Sequence, residues 1–338
     1  MARGSAMELA DPLALGFDPA RLARIDCFLA ETYIDTGKLP CAQILVARDG
    51  QPVHFGQLGT LRADGTPIRA DALFRIASMT KPVTSVAFMQ LVEQAKVALD
   101  DPVARVLPEL ANLGVYAGGG GAVPFAPAIP TRPIRFVDLL THMSGLTYGL
   151  QNRTSVDAAY REVEFDFGRE RHTSDEYLAH LGKLPLEFAP GSGWNYSVAT
   201  DVLGIAVERL SGLRLGEYFE RHIFAPLGMD DTFASPFYAE AAPRQAVLYD
   251  PVAPGTFHRI QEGIDMSGRR GAGRYSSWMI RSLKRDSASS LLRWASSPTA
   301  WEMSSIFTAP RCSSSLIVPS ISARMYGVPT AALPPSSV

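Results

Sequence analysis

Ser78-Met79-Thr80-Lys81 opens an apolar stretch, Pro82 to Leu99, and the reading of that stretch decides the fold. Its composition predicts a buried helix. A serine at the N-terminal end of a helix and a lysine three residues on lie on one helical face, one turn apart. That is the geometry of a nucleophile and a base. A serine hydroxyl is inert at neutral pH until a neighbour takes its proton, and an amine held out of water is freer to accept one. Pro82 fits the first turn, whose amides have no intrahelical partner to lose. By itself S-x-x-K arises about once by chance in a chain of this length. On the tetrapeptide alone, an ordinary helix start with a solvated lysine is the stronger reading, so the rest of the chain has to decide.

Just upstream, Leu73 to Ile76 reads as a short strand that delivers Ser78. Before it, Ala42 to Arg48 and Pro52 to Gln57 flank Asp49-Gly50, a dipeptide suited to the positive φ angles of a tight hairpin turn. The first element is an amphipathic helix with Asp18 as N-cap and Pro19 at its first position. Leu22, Ile25, Leu29 and Tyr33 follow at helical spacing, and it ends near Gly37. Downstream of the central helix, Asp100-Asp101-Pro102 breaks the pattern. Gly118 to Gly121 lacks both the preceding strand and the following lysine of a phosphate-binding loop, and reads as a flexible surface loop. Helices are then expected at Ile134 to Leu140 and at Ser174 to Leu181, the latter with Ser174 as N-cap. Two more are expected through Val202, Leu203, Ala206, Val207 and Leu210 up to Ser211-Gly212, and from Leu215 to Ile223. Between them Pro185 to Ser197 is turn-rich and presents Trp194, Asn195 and Tyr196. An antiparallel sheet beside a helical insertion is the simplest architecture, although such a sheet needs more strands than the N-terminal part provides.

With 338 residues, 46% apolar and 20% charged, the chain has ample material for a core. It has no uninterrupted apolar run of membrane-spanning length, and Met1 to Asp18 lacks the basic patch and apolar core of a secretory signal. A cytoplasmic protein without membrane attachment is therefore expected. Cys27, Cys41 and Cys312 show neither disulfide nor zinc spacing. The net charge of −2 hides a division: residues 1–266 carry a balance of −9, and residues 267–338 carry +7. That tail is serine-rich, with 18 serines in 72 residues and only Asp286 and Glu302 acidic. Its basic character is compatible with nucleic-acid affinity, which salt-dependent binding would have to demonstrate.

Absent motifs narrow the chemistry. There is no G-x-S-x-G, so the nucleophile elbow of α/β-hydrolases is excluded. His54, His142, His172, His180, His222 and His258 form no H-E-x-x-H or other close pair, which argues against a metal site. What remains is Ser78-x-x-Lys81, then Thr141-His142-Met143-Ser144-Gly145-Leu146, then Pro190-Gly191 with Tyr196-Ser197-Val198, then Phe224-Ala225-Pro226-Leu227-Gly228-Met229. In this order and at these separations the set resembles the serine β-lactamase and penicillin-binding-protein superfamily, most closely its class C-like esterases, the family VIII carboxylesterases.

The resemblance runs from about residue 20 to about residue 250. It implies an α+β, β-lactamase/transpeptidase-like fold: an antiparallel sheet flanked by helices, with a mainly helical insertion. Residues 1–77 would begin the α/β part, 78–235 would form the helical domain, and 236–266 would return to the α/β part. It also implies that Ser78 attacks the substrate carbonyl and becomes acylated, that Lys81 is the adjacent base or relay, and that Tyr196 shares the proton between serine and leaving group. Physical logic agrees, because a phenol serves as a base only where a nearby cation stabilises its anion. His142 is expected to position a loop, and Trp194 to line the substrate pocket. No metal and no organic cofactor is implied, and the partner is a small ester or amide.

Two departures from the family pattern carry information. Where class C β-lactamases have an asparagine two residues after the tyrosine, this chain has Val198, which offers no amide to a β-lactam. That favours short-chain esters over β-lactams, with a D-amino-acid peptidase or other amide hydrolase as alternatives. The family also places a Lys, His or Trp two residues before a glycine on a C-terminal strand, whose backbone helps form the oxyanion hole. No such motif follows residue 250: Trp278, Trp294 and Trp301 precede the wrong residues. Ser313 to Ser315 and Pro334-Pro335 read as loop or disorder rather than as alternating strands. The switch at Ser267 to serine- and arginine-rich, acid-poor sequence is what a shifted reading frame produces. The expected function is thus an acyl-enzyme serine hydrolase, with a catalytically silent relative of the same fold as the competing reading.

Overall fold

A computed structural model describes residues 7–62, 64–163, 173–233, 242–246, 248–253, 256–261, 279–281 and 317–319. Helix α1, Pro19–Leu29, starts as its sequence requires: Asp18 Oδ1 accepts the amides of Ala20 at 2.8 Å and Arg21 at 3.4 Å, with proline at the first helical position. The helix continues through a π turn, Ala30–Ile34, and the chain reverses at Gly37, φ +67°. Strands β1, Cys41–Arg48, and β2, Gln51–Gly59, form an antiparallel hairpin in which Asp49 and Gly50 both take positive φ, 50° and 75°. Strand β3, Leu73–Arg75, leads into the 3₁₀ turn Ala77–Met79 and then helix α2, Thr80–Glu93.

Helix α2 ends six residues short of the expected Leu99, and the reason is local. Ala95 adopts φ +54°, which turns the chain so that Val97 enters the core from a loop, and Leu99 accepts the Val137 amide at 2.9 Å. The run is buried through its helical part, at Thr84, Ala87, Phe88 and Leu91, but Glu93 to Lys96 and Ala98 are exposed, and only the first part is helical. Beyond it lie α3, Phe136–Leu140, α4, Ser155–Glu162, α5, Ser174–Leu181, α6, Ala199–Ser211, and α7, Leu215–Phe219, which runs on into a π turn to Phe224. The N-cap of α5 is Thr173 rather than Ser174, in a reciprocal capping box with Glu176. Gly212, φ +72°, closes α6 as anticipated, returning its amide to Glu208.

Helices α2 and α6 are the central pair of the largest core, which also takes in Phe136 and Leu139 of α3, Tyr160 of α4, and Tyr218 and Phe219 of α7. A smaller cluster of Leu22, Val46 and Val53 joins α1 to the hairpin. Strands β4, Leu248–Ala253, and β5, Thr256–Gln261, pair antiparallel. The stretch after Ser267, where no strands were expected, supplies two of three residues each. β6, Met279–Arg281, pairs with β3, and β7, Ile317–Pro319, adds to β1 in the order β2-β1-β7. Runs this short fall below the window in which alternation can be seen in a sequence. Trp278, Trp294, Trp301, Cys312, Ser313 to Ser315 and Pro334-Pro335 lie outside the described residues. Among the described residues no helix is long and apolar enough to cross a membrane.

Candidate active site

Ser78 sits where strand β3 gives way to α2, and the backbone is strained one residue earlier: Ala77 takes φ +41°, a region alanine rarely occupies. The turn leaves Ser78 partly exposed, while Thr80 and Thr84 of α2 are buried behind it. Tyr196 comes from a loop 118 positions away in sequence, and its hydroxyl donates to Ser78 Oγ at 2.6 Å. Lys81 Nζ lies 4.7 Å from the centre of the Tyr196 ring and 5.6 Å from that of Tyr148, and donates to the Tyr148 hydroxyl at 3.3 Å. Among the described residues the lysine makes no hydrogen bond to Ser78, whose hydroxyl is bonded by the tyrosine.

The loop carrying Tyr196 is held by the segment that carries His142 to Tyr148. Backbone bonds run from Glu187 N to Gly145 O, from Gly191 N to Met143 O and from Asn195 N to His142 O, and Val198 N donates to Thr147 O at 3.2 Å. Gly145, φ +84°, is required here, since a Cβ would stand 2.3 Å from Phe188 O. The buried Asn195 locks the crossing: its Nδ2 donates to Leu146 O at 3.2 Å and its Oδ1 accepts from Arg153 Nη2 at 2.7 Å. Gln151 Nε2 donates to the carbonyl of Tyr196 itself. Tyr196 is therefore fixed by its own backbone and by both neighbouring residues.

His142 faces the Tyr196 ring at 5.0 Å, and its Nδ1 accepts the Ser197 amide at 3.3 Å, with Ser197 Oγ at 3.2 Å. Burial, aided by the Lys81 charge, lowers its pKa to about 4, so the imidazole is neutral at pH 7. Trp194 is 67% exposed, its ring edge-on to His142 at 6.2 Å. Val198 lies elsewhere than its expected role requires. Its side chain is wholly buried in the helical core at the start of α6 and does not reach solvent.

Tyr148 and Asp201 were missed in the sequence. The Tyr148 hydroxyl donates to Asp201 Oδ2 at 3.0 Å, so Ser78, Tyr196, Lys81, Tyr148 and Asp201 form one continuous polar chain. Burial raises the Asp201 carboxyl above its ordinary range, while the Lys81 ammonium opposes that rise. The available signal was an acid just ahead of the apolar run Val202 to Val207, five residues after Tyr196. No group of three or more His, Cys, Asp and Glu side chains suited to a metal occurs among the described residues.

A family profile described as Beta-lactamase matches residues 28–306, and the chain belongs to that family, a serine-hydrolase family with esterase, acyltransferase and peptidase members. The match runs beyond Ser267, into the stretch where no resemblance had been seen. Among characterised proteins the chain is 35% identical over 275 residues to the esterase EstB of Burkholderia gladioli, which covers 78% of this chain and 63% of that protein. It is 39% identical over 219 residues to the uncharacterised protein Rv1367c of Mycobacterium tuberculosis, covering 64% of this chain and 52% of that one. The chain thus spans between about half and two thirds of the length of these relatives. In three dimensions it resembles EstCE1, a hydrolase with promiscuous acyltransferase activity, with a TM-score of 0.65 at 24% identity over 80% of this chain and 71% of that one. That likeness shows the β-lactamase/transpeptidase-like fold.

Proposed function

We propose that the protein is a serine hydrolase that works through an acyl-enzyme on Ser78, acting as a carboxylesterase on short-chain esters. The observation that carries this reading is the 2.6 Å contact between the Tyr196 hydroxyl and Ser78 Oγ, with the Lys81 ammonium 4.7 Å from the same tyrosine ring. In the reacting form the direction of that bond reverses. The cation stabilises the Tyr196 phenolate, Ser78 donates its proton to it as Oγ bonds to the carbonyl carbon, and the new phenol then protonates the leaving alkoxide. Water attacks the acyl-enzyme by the same route, and the acid is released. His142, neutral and bonded to Ser197, positions the loop, and the exposed Trp194 is suited to meet the substrate at the entrance.

We favour esters over β-lactams and peptide amides as substrates. The similarity to EstB supports the same choice. We place the protein in the cytoplasm, with no nucleic acid, membrane or cofactor in its activity. The test is labelling of the purified full chain with a fluorophosphonate, located by peptide mass spectrometry, with Ser78→Ala as control. Modification confined to Ser78, followed by turnover of p-nitrophenyl acetate or butyrate in preference to a β-lactam and a D-alanyl peptide, is the expected result. A folded protein that takes no label would show the silent relative instead.

A further inference from the structure

We infer that Tyr148 and Asp201 are positioning residues for Lys81. Tyr148 donates a hydrogen bond from its hydroxyl to the Asp201 carboxylate, accepts one from the Lys81 ammonium, and so holds Lys81 as a cation against the Tyr196 ring. This inference rests on the serine-hydrolase reading and adds to it the device that fixes which group carries the proton.

The direction of the bonds follows from valence. An ammonium has donors only, so the 3.3 Å contact from Lys81 Nζ makes the Tyr148 oxygen an acceptor. The single proton of Tyr148 is then left for Asp201 Oδ2, at 3.0 Å. Tyr148 is only 2% exposed, so water cannot substitute for either partner. Burial, reinforced by Asp201, holds the Tyr148 phenol well above the ordinary tyrosine range, which disqualifies it as a base. Of the two tyrosines beside Lys81, Tyr196 is the one whose hydroxyl touches Ser78, and Tyr148 is the one committed to Asp201.

The surroundings point the same way. Lys81, on α2, is faced by Tyr148 and His142 from the segment before α4, by Tyr196 from the following loop and by Asp201 from α6; Tyr177 of α5 faces Tyr148 from the other side. Asp201 is the one acid in this group, and His142 is neutral at pH 7. Among the described residues, Asp201 thus supplies the negative charge in this group, with the Tyr148 phenol hydrogen-bonded to both it and the lysine.

The experiment compares the full-length wild type with Asp201→Asn, Tyr148→Phe and the double variant in two readouts. The first is the pH profile of kcat/KM on a p-nitrophenyl ester. Loss of the anion makes the lysine discharge at lower pH, so the alkaline limb moves down by about one unit in each single variant, with KM little changed. The double variant shows no further shift, since both changes break one chain. The second readout is the pH midpoint of Lys81 acetylation by acetic anhydride, followed by mass spectrometry, which needs no turnover and moves in the same direction. An unmoved alkaline limb and acetylation midpoint in a folded variant would overturn the inference, as would additive losses in the double variant. Failure of the enzymatic reading is distinct: the wild type then leaves Ser78 unlabelled while the acetylation midpoint still shifts. Should Asp201→Asn not fold, Tyr148→Phe carries the test, because phenylalanine keeps the ring in the core.

Discussion

Ser78, Lys81 and Tyr196 come from two distant parts of the chain, and their contact separates two kinds of loss. Tyr196→Phe removes the hydroxyl proposed to accept the Ser78 proton but leaves the ring beside Lys81. It should lower kcat by on the order of 10²- to 10⁴-fold with little change in KM, as steady-state ester hydrolysis will show. His142 offers a second check at this scale. Its pKa, lowered from 6.5 to about 4, means that the unfolded chain binds a proton between those values while the folded chain does not. Stability then falls as the pH drops from 6.5 through 4. The His142 ring resonances should titrate near pH 4, and a midpoint near 6.5 would remove it from its buried bond with Ser197. The serine, the lysine and this tyrosine were legible because each stands in a short motif. Tyr148 and Asp201 were not, since nothing in sequence tells a buried hydrogen-bonded tyrosine from any other, and an acid in the first turn of a helix is ordinary.

Among the elements, the ones read correctly are those with chemistry at their ends. Asp18-Pro19 starts α1, Asp49-Gly50 turns the hairpin and Gly212 stops α6, each through backbone geometry that few other residues supply. Helix α4 was missed although Thr154 caps it, because it is only eight residues long and half of them are polar. Yet α4 braces the site. Buried Asp157 accepts from Thr147 Oγ1 at 2.6 Å and from the Arg153 amide at 2.8 Å, and the Thr154 hydroxyl donates to Glu187. The Glu187 carboxyl is raised above its ordinary value, first by burial and also by facing Asp157, with Thr154 and Arg153 opposing. A raised carboxyl is favoured in its protonated form by the folded state, so stability declines as the pH rises from the ordinary glutamate value through the raised one. Glu187→Gln should therefore melt higher than wild type at neutral pH and lose that advantage in acid. Calorimetry at several pH values tests this, and equal melting temperatures throughout would sink it. Thr154→Ala should cost about 1 kcal/mol through its cap, read from urea denaturation.

For the whole molecule, the helical half is continuous while the sheet is assembled from distant pieces. α2 and α6 meet within residues 80–211, whereas β1, beyond its hairpin partner β2, pairs with 317–319, and β3 pairs with 279–281. This is why the resemblance was clear in the middle of the sequence and faded after residue 250: helix motifs are local, whereas a three-residue strand is defined by its partner. Removal of 267–338 would leave the outer edges of β1 and β3 unpaired, and such edges invite association. The shortened chain should melt several degrees lower and show concentration-dependent light scattering. An unchanged melting temperature would show that β6 and β7 contribute little. Sequencing the gene across codon 267 decides whether the basic, serine-rich composition reflects a change of frame, and the family match out to residue 306 marks the stretch to be read most closely.

Trp194 also gives the protein a built-in optical signal. It is the sole tryptophan among the described residues, largely in water, with an imidazole ring 6.2 Å from its own. An uncharged imidazole quenches indole emission far less than a protonated one, so its fluorescence should dim as the pH falls through about 4. An acyl group on Ser78 that reaches the entrance would displace water from the indole and shift the emission to the blue. With Trp278, Trp294 and Trp301 replaced by phenylalanine so that Trp194 alone emits, rapid mixing with ester would time acylation and deacylation separately, without a chromogenic leaving group.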